Sequence, residues 1–153
     1  MDFELTDEQK IWRQTIKDFA EKELTPLIDK AEEEEKFPVE ILKKMASLGY
    51  LGVSFPPKYG GSAPEDKFSR KVNELIWMEE MSAVCSGIAF GIQAATVGAP
   101  NYVMRDAASE EQCQKHLVPS LKGEKIAAFA LTEPEAGSDA AGIRTTADRR
   151  DNY

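Results

Sequence analysis

Residues Ile126–Gly142 read IAAFALTEPEAGSDAAG, and here the chain changes character. Ile126–Leu131 is a short continuous apolar run followed by turn residues, the pattern of a buried strand. Thr132 comes at the end of that run. Pro134, which lacks a backbone N–H, prevents the strand from continuing with ordinary pairing. Gly137 permits a positive φ, so the N–H groups from Ala136 to Asp139 can face one concavity. Such a concavity is an anion nest, able to hold a pyrophosphate without a lysine. Ser138 adds a hydroxyl donor, and Asp139 can fix the turn through its own backbone. The alternative is a structural turn in which Thr132 and Asp139 are satisfied locally, and spacing alone leaves both open.

Upstream of this stretch the period is helical. Thr6 and Gln9 have the spacing of a capping box. From there apolar residues recur on one face as Trp12, Ile16, Phe19, Ala20, Leu24, Leu27, Ile28 and Ala31. Pro26 falls inside that stripe and predicts a kink or break. A second helix is expected from Pro38 to a stop at Gly49, then a loop over Val53–Pro64 (VSFPPKYGGSAP). A third helix is expected over Lys67–Cys85. A fourth, Ser86–Met104, is apolar nearly all round, which predicts a central position. Gln93 and Thr96 are polar side chains within it, either bonded to a neighbouring helix or lining a ligand cavity. Ser109 and Gln112 form a second capping box, opening a fifth helix that should end before Pro119. His116, near that end, complements the helix dipole.

Downstream, Ile143–Ala147 (IRTTA) reads as another strand and Asp148–Asn152 as the turn of a hairpin. The expected fold class is mainly α: a helical bundle over residues 1–121, then the first strands of an incomplete β domain over residues 122–153.

The formal net charge of −8 argues against a nucleic-acid binder, since no basic stripe is present to neutralise a polyanion. A phosphate-bearing ligand would have to be held locally. Cys85 and Cys113 are isolated thiols in helical stretches, which suggests core residues in a reducing compartment. With one histidine and no CxxC, a metal site is not expected. The opening MDFELTDEQ lacks the basic and apolar regions of a secretory signal. Ile88–Ala99 is too short to span a bilayer. These features predict a protein of the cytoplasm or mitochondrial matrix without membrane insertion.

The run Ala130–Asp139 (ALTEPEAGSD), closed by Gly142, resembles the N-terminal signature of acyl-CoA dehydrogenases. LTDEQ at the first helix agrees in order, as do Gly49-Tyr50-Leu51-Gly52, Pro57-Lys58-Tyr59-Gly60-Gly61 and Phe90-Gly91-Ile92-Gln93. The resemblance covers essentially the whole chain. It implies an FAD-dependent oxidation of acyl-CoA thioesters to 2,3-enoyl-CoA, by α-proton abstraction and β-hydride transfer. Phe129, Ala130, Leu131 and Thr132 match the family's strand beside the flavin ring, with Thr132 near N5. Gly137 and Ser138 match positions at the FAD pyrophosphate, and Ser138 also meets the thioester's pantetheine. Gln93 and Val97 match the floor of the acyl cavity. Glu135 stands where many members carry glycine. The family's catalytic base comes from a C-terminal helical domain, so neither Glu133 nor any other glutamate here takes that role.

The chain is therefore expected to be the N-terminal part of such an enzyme, inactive by itself. Acyl-CoA as substrate, electron-transferring flavoprotein as acceptor and a homo-oligomeric complete enzyme are implied with it. The same fold also serves acyl-CoA oxidases and flavin monooxygenases. A non-catalytic helical binding module is the reading from a different class.

Overall fold

A computed structural model describes residues 4–148 and 150. Helix α1 (Asp7–Phe19) opens with the expected capping box: Thr6 Oγ1 accepts from the Gln9 N–H at 3.2 Å, and Gln9 Oε1 accepts from the Thr6 N–H at 3.0 Å. Each side chain thereby satisfies a donor that the helix start leaves without a partner. A wide π turn, Ala20–Leu24, leads without a break into α2 (Thr25–Glu34), which contains Pro26. The expected kink or break is thus corrected to a widened turn. Proline lacks the donor and crowds the carbonyl four residues back. Widening the turn lets the Thr25 N–H reach the Ala20 carbonyl instead, and the helix absorbs the misfit.

The same device recurs near the end of the bundle. The Ser109–Gln112 capping box opens α6 (Glu110–Gln112), a π turn follows over Cys113–Leu117, and α7 (Val118–Leu121) carries Pro119. The helix expected to end before Pro119 runs on to Leu121.

Between these, α3 (Glu40–Ser47) stops at Gly49, whose φ is 76°. Val53–Pro64 is loop apart from the short 3-10 turn Pro57–Tyr59. Its glycines have a mechanical reason. A Cβ on Gly61 would lie 2.0 Å from the Phe55 carbonyl oxygen, so only glycine allows the backbones to approach there. Ser62 and Ala63 then donate to the Gly52 and Phe55 carbonyls, both at 3.0 Å.

Asp66 caps α4 (Lys67–Ile92), its carboxylate accepting from the Ser69 N–H at 2.6 Å. Cys85 leaves helical geometry at φ −154°, ψ 103°, which marks the boundary expected between the third and fourth helices. Beyond Ile92 come a π turn, Gln93–Val97, a break at Gly98, and α5 (Ala99–Ala107). The expected fourth helix is therefore two pieces. Its apolar surface is also not wholly central: Ile88, Ala89, Ile92 and Val97 are buried, whereas Phe90 is 65% exposed. The Lys67–Ala107 stretch is apolar and long enough to cross a membrane by composition. However, the helical run between Cys85 and Gly98 rises only about 18 Å, short of a hydrocarbon core.

The main core gathers Ile16 and Leu24, Leu42 and Met45 of α3, and Trp77 and Met81 of α4. Each such fully buried side chain contributes roughly 1.5–3 kcal/mol. α1 is tied to α4 by Trp12 Nε1, which donates to the Asn73 carbonyl at 3.0 Å. A second cluster joins Phe55 and Tyr59 of the glycine loop to Cys113, Leu117 and Leu121.

After Leu121 the expectation of β structure is not met. Among the described residues no strand forms: Ile126–Leu131 and Ile143–Ala147 are irregular, and one isolated bridge pairs Glu133 with Ala136. Apolar content marks a run that can enter a sheet, but a strand exists only with a ladder partner, and these residues have none. Ile126, Phe129 and Leu131, expected to be buried, are 57%, 51% and 43% exposed. Much of the hairpin turn expected at Asp148–Asn152 lies outside the described residues. The fold is mainly helical.

Candidate functional site

The π turn Gln93–Val97 ends at Gly98, and the last carbonyls of a helix have no partner within it. Two groups from elsewhere supply donors. Asn101 Nδ2 donates to the Thr96 carbonyl, and the Ala127 N–H donates to the Ala95 carbonyl at 3.1 Å. Gly98 permits this ending, because a Cβ there would stand 2.5 Å from the Gln93 carbonyl oxygen. The Ala127 bond fixes the start of the 126–132 segment to the turn that carries Gln93 and Val97.

Within that turn the side chains differ. Val97 is fully buried in the main core, and Gln93 is half-buried. Thr96 is buried, and its hydroxyl donates to the Ile92 carbonyl at 2.7 Å in its own helix. Its hydroxyl bond is thus made within its own helix and not to a neighbouring one.

Phe129, Ala130, Leu131 and Thr132 form an exposed apolar ribbon ending in a hydroxyl. Phe129 also borders a hollow of about 580 Å³ between α5, the last helix and residues 125–129. His116, Gln112 and Ser120 reach the same hollow.

Beyond Thr132 the chain turns at Pro134-Glu135. The Glu133 and Ala136 backbones exchange hydrogen bonds at 3.1 and 3.2 Å. The expected geometry at Gly137 is corrected: its φ is not positive, and the corner is made earlier by Pro134 and the Glu133–Ala136 pair. The Ala136 N–H is consumed by that pair, which leaves those of Gly137, Ser138 and Asp139 without a backbone partner among the described residues. Gly137 and Ser138 are exposed, and a Cβ on Gly137 would touch nothing within 4 Å. Asp139 accepts the Gly142 N–H on its carbonyl at 3.0 Å, while its carboxylate lies so close over Gly142 that a Cβ would be 2.9 Å away.

Glu133 closes the loop. Its carboxylate accepts the N–H groups of Arg144 at 2.9 Å and Thr145 at 2.8 Å, together with the Thr145 hydroxyl. The Thr145 hydroxyl foremost, then the two amides, hold its pKa below the usual 4.5. Glu135 instead faces Arg144 at 3.3 Å. With Glu133 committed to this clamp, its role is to shape the loop.

Residues 6–124 match the family model described as acyl-CoA dehydrogenase, N-terminal domain. The chain belongs to the acyl-CoA dehydrogenase family. It is 41% identical over 147 residues to the short-chain-specific acyl-CoA dehydrogenase of Clostridium acetobutylicum, covering 96% of this chain and 37% of that protein. It is 40% identical over 154 residues to the CarC subunit of the caffeyl-CoA reductase–Etf complex of Acetobacterium woodii, covering 97% and 38%. Among solved structures, the acyl-CoA dehydrogenase of Bacillus anthracis complexed with FAD superposes with a TM-score of 0.78 at 35% identity, covering 92% of this chain and 23% of that one. The chain thus spans well under half the length of these curated relatives.

Two residues of this family member escaped the reading of its sequence. Asn101 carried a weak signal, as an amide following proline in an otherwise apolar stretch. Glu133 was visible in the TEPE motif, but its partners lie 11 and 12 residues further on.

Proposed function

We propose that this chain is the N-terminal part of an FAD-dependent acyl-CoA dehydrogenase, oxidising acyl-CoA thioesters to 2,3-enoyl-CoA. The observation that carries the reading is the outward-facing ribbon Phe129–Thr132, continuous with the open Gly137-Ser138 turn. Large apolar side chains held half-exposed on one ribbon invite a covering surface. A planar ring would cover them, and the Thr132 hydroxyl, without a hydrogen-bond partner among the described residues, stands at the ribbon's end. The N–H groups of residues 137–139 and the Ser138 hydroxyl suit an anionic oxygen. The residues present fit FAD.

In this reading Phe129, Ala130 and Leu131 shield one side of the ring from water, and Thr132 donates at the ring's edge. Ser138 and Gly137 hold the pyrophosphate, and Ser138 also meets the thioester arm. Gln93 and Val97 shape the end of the acyl site. FAD, when bound, supplies the hydride acceptor. Glu133 is engaged by Arg144 and Thr145 and is not assigned as the base. The base is assigned to a later helical domain, and residues 122–153 are assigned as the opening of a β domain that acquires its ladder there. Residues 1–121 are the helical domain.

Electron-transferring flavoprotein is the proposed acceptor, supported by the relative from Acetobacterium woodii being named as part of an Etf complex. A homo-oligomeric enzyme in the cytoplasm or mitochondrial matrix is proposed with it, and the two free cysteines accord with a reducing compartment. The same relative is named a reductase, so reduction of an enoyl-CoA is the second reading. It uses the same residues in the reverse direction.

The test is to purify this chain and the full-length enzyme side by side, and to assay both with FAD, acyl-CoAs and an artificial electron acceptor. Only the full-length enzyme should reduce the acceptor. Turnover by the chain alone would mean that a carboxylate within it can act as base.

A further inference from the structure

Asn101 is almost completely buried, at 1% exposure, yet it is an amide in an apolar interior. Burying an amide is costly unless its hydrogens are used. Both are: Nδ2 donates to the Thr96 carbonyl at the end of the π turn, and to Ser120 Oγ of α7 at 2.9 Å. Ser120 is itself buried, at 2% exposure. The amide therefore closes the end of the turn Gln93–Val97, and Ser120 of the last helix supports it. The neighbouring carbonyl of that turn, Ala95, is the acceptor for Ala127. Moving the turn would move Gln93 and Val97 and the docking point of the ribbon together.

We propose that Asn101 is a positioning residue for the acyl end of the site, setting the distance between Gln93–Val97 and the ribbon Phe129–Thr132. This rests on the functional reading above. Asn101 touches no reacting atom. It acts by holding the Thr96 carbonyl, and Ser120 acts only as its support. The two bonds made by one amide can be separated, which distinguishes positioning from simple stability. Asn101→Ala loses both, whereas Ser120→Ala loses one and leaves the Thr96 bond in place.

The first arm uses this chain and reads amide hydrogen exchange at Ala127. Asn101→Ala should lower protection of the Ala127 amide several-fold, and Ser120→Ala should leave it near wild type. The second arm uses the full-length enzyme and reads kcat/KM across short and medium acyl-CoAs. Asn101→Ala should change the ratio between chain lengths by at least threefold, with Ser120→Ala keeping the wild-type ratio. Equal effects of the two variants, or an unchanged Ala127 amide in Asn101→Ala, would overturn the proposal. If Asn101→Ala fails to fold, Asn101→Leu keeps the volume but loses the donors. It should reproduce the Ala127 effect, and wild-type protection in it would overturn the proposal equally. Absence of acyl-CoA turnover by the wild-type enzyme would sink the functional reading instead, while the exchange arm still decides whether Asn101 holds the turn.

Discussion

The Ala127 amide donates to the Ala95 carbonyl across 3.1 Å, and this bond joins the helical turn bearing Gln93 and Val97 to the ribbon bearing Phe129 and Thr132. It uses a carbonyl that the helix cannot satisfy for itself, because the helix breaks three residues later at Gly98. A broken helix, which sequence patterning reads as one continuous element, is what creates the docking point.

Ala127→Pro removes that donor without adding charge. The segment 122–132 should open more readily, and trypsin should cut at Lys122 or Lys125 roughly 2- to 12-fold faster, the effect of losing about 0.5–1.5 kcal/mol. Helical content by circular dichroism should be unchanged. An unaltered cutting rate would show that the bond does not hold the ribbon.

The Glu133 clamp makes a pH prediction. Its folded pKa lies below 4.5, so its contribution is present at neutral pH and is lost as pH falls through the folded value. The Arg144 and Thr145 amide resonances should therefore titrate together below about pH 4.5. Glu133→Gln should abolish that titration. Titration of these amides at or above the ordinary carboxylate value would contradict the clamp.

Gly60 and Gly61 are adjacent but demand glycine for different reasons. Gly60 sits at φ 84° in open space, whereas a Cβ on Gly61 would collide with the Phe55 carbonyl. Gly60→Ala should cost roughly 1–2 kcal/mol for a left-handed backbone. Gly61→Ala should cost more than about 3 kcal/mol, since backbone must move. Urea midpoints for the two variants check the order, and equal losses would refute it.

The helical half was legible because its signals are local. Capping boxes, the Gly49 stop and the boundary at Cys85 each depend on residues within a turn or two. The Pro26 and Pro119 readings failed because a π turn can absorb a proline, and nothing in residue type announces that the turn will widen. The Ile126–Leu131 reading failed differently: apolarity identifies a run fit for a sheet, but pairing is a property of two segments. The Gly137 expectation failed because Pro134 and the Glu133–Ala136 pair had already made the corner. Asn101 was missed because its acceptors, the Thr96 carbonyl and Ser120, become neighbours only after the helix breaks.

Thr132 and Ser138 should act on FAD in separable ways in the full-length enzyme. A cofactor's electronics respond to groups at its ring, and its retention depends on its anchor. Thr132→Val should change the flavin's absorbance and its reduction rate while FAD stays bound. Ser138→Ala should weaken FAD or thioester binding by about 0.5–1.5 kcal/mol. Loss of FAD from Thr132→Val with normal reduction kinetics would place the ring elsewhere.

The proposed flavin site for acyl-CoA oxidation can be tested by anaerobic mixing of the FAD-loaded full-length enzyme with a series of acyl-CoAs. At least one thioester should bleach the oxidised-flavin absorbance within a single turnover and yield the 2,3-enoyl-CoA. A full-length protein that binds no FAD, or whose bound flavin is left oxidised by every acyl-CoA tried and also drives no enoyl-CoA reduction, would contradict the account.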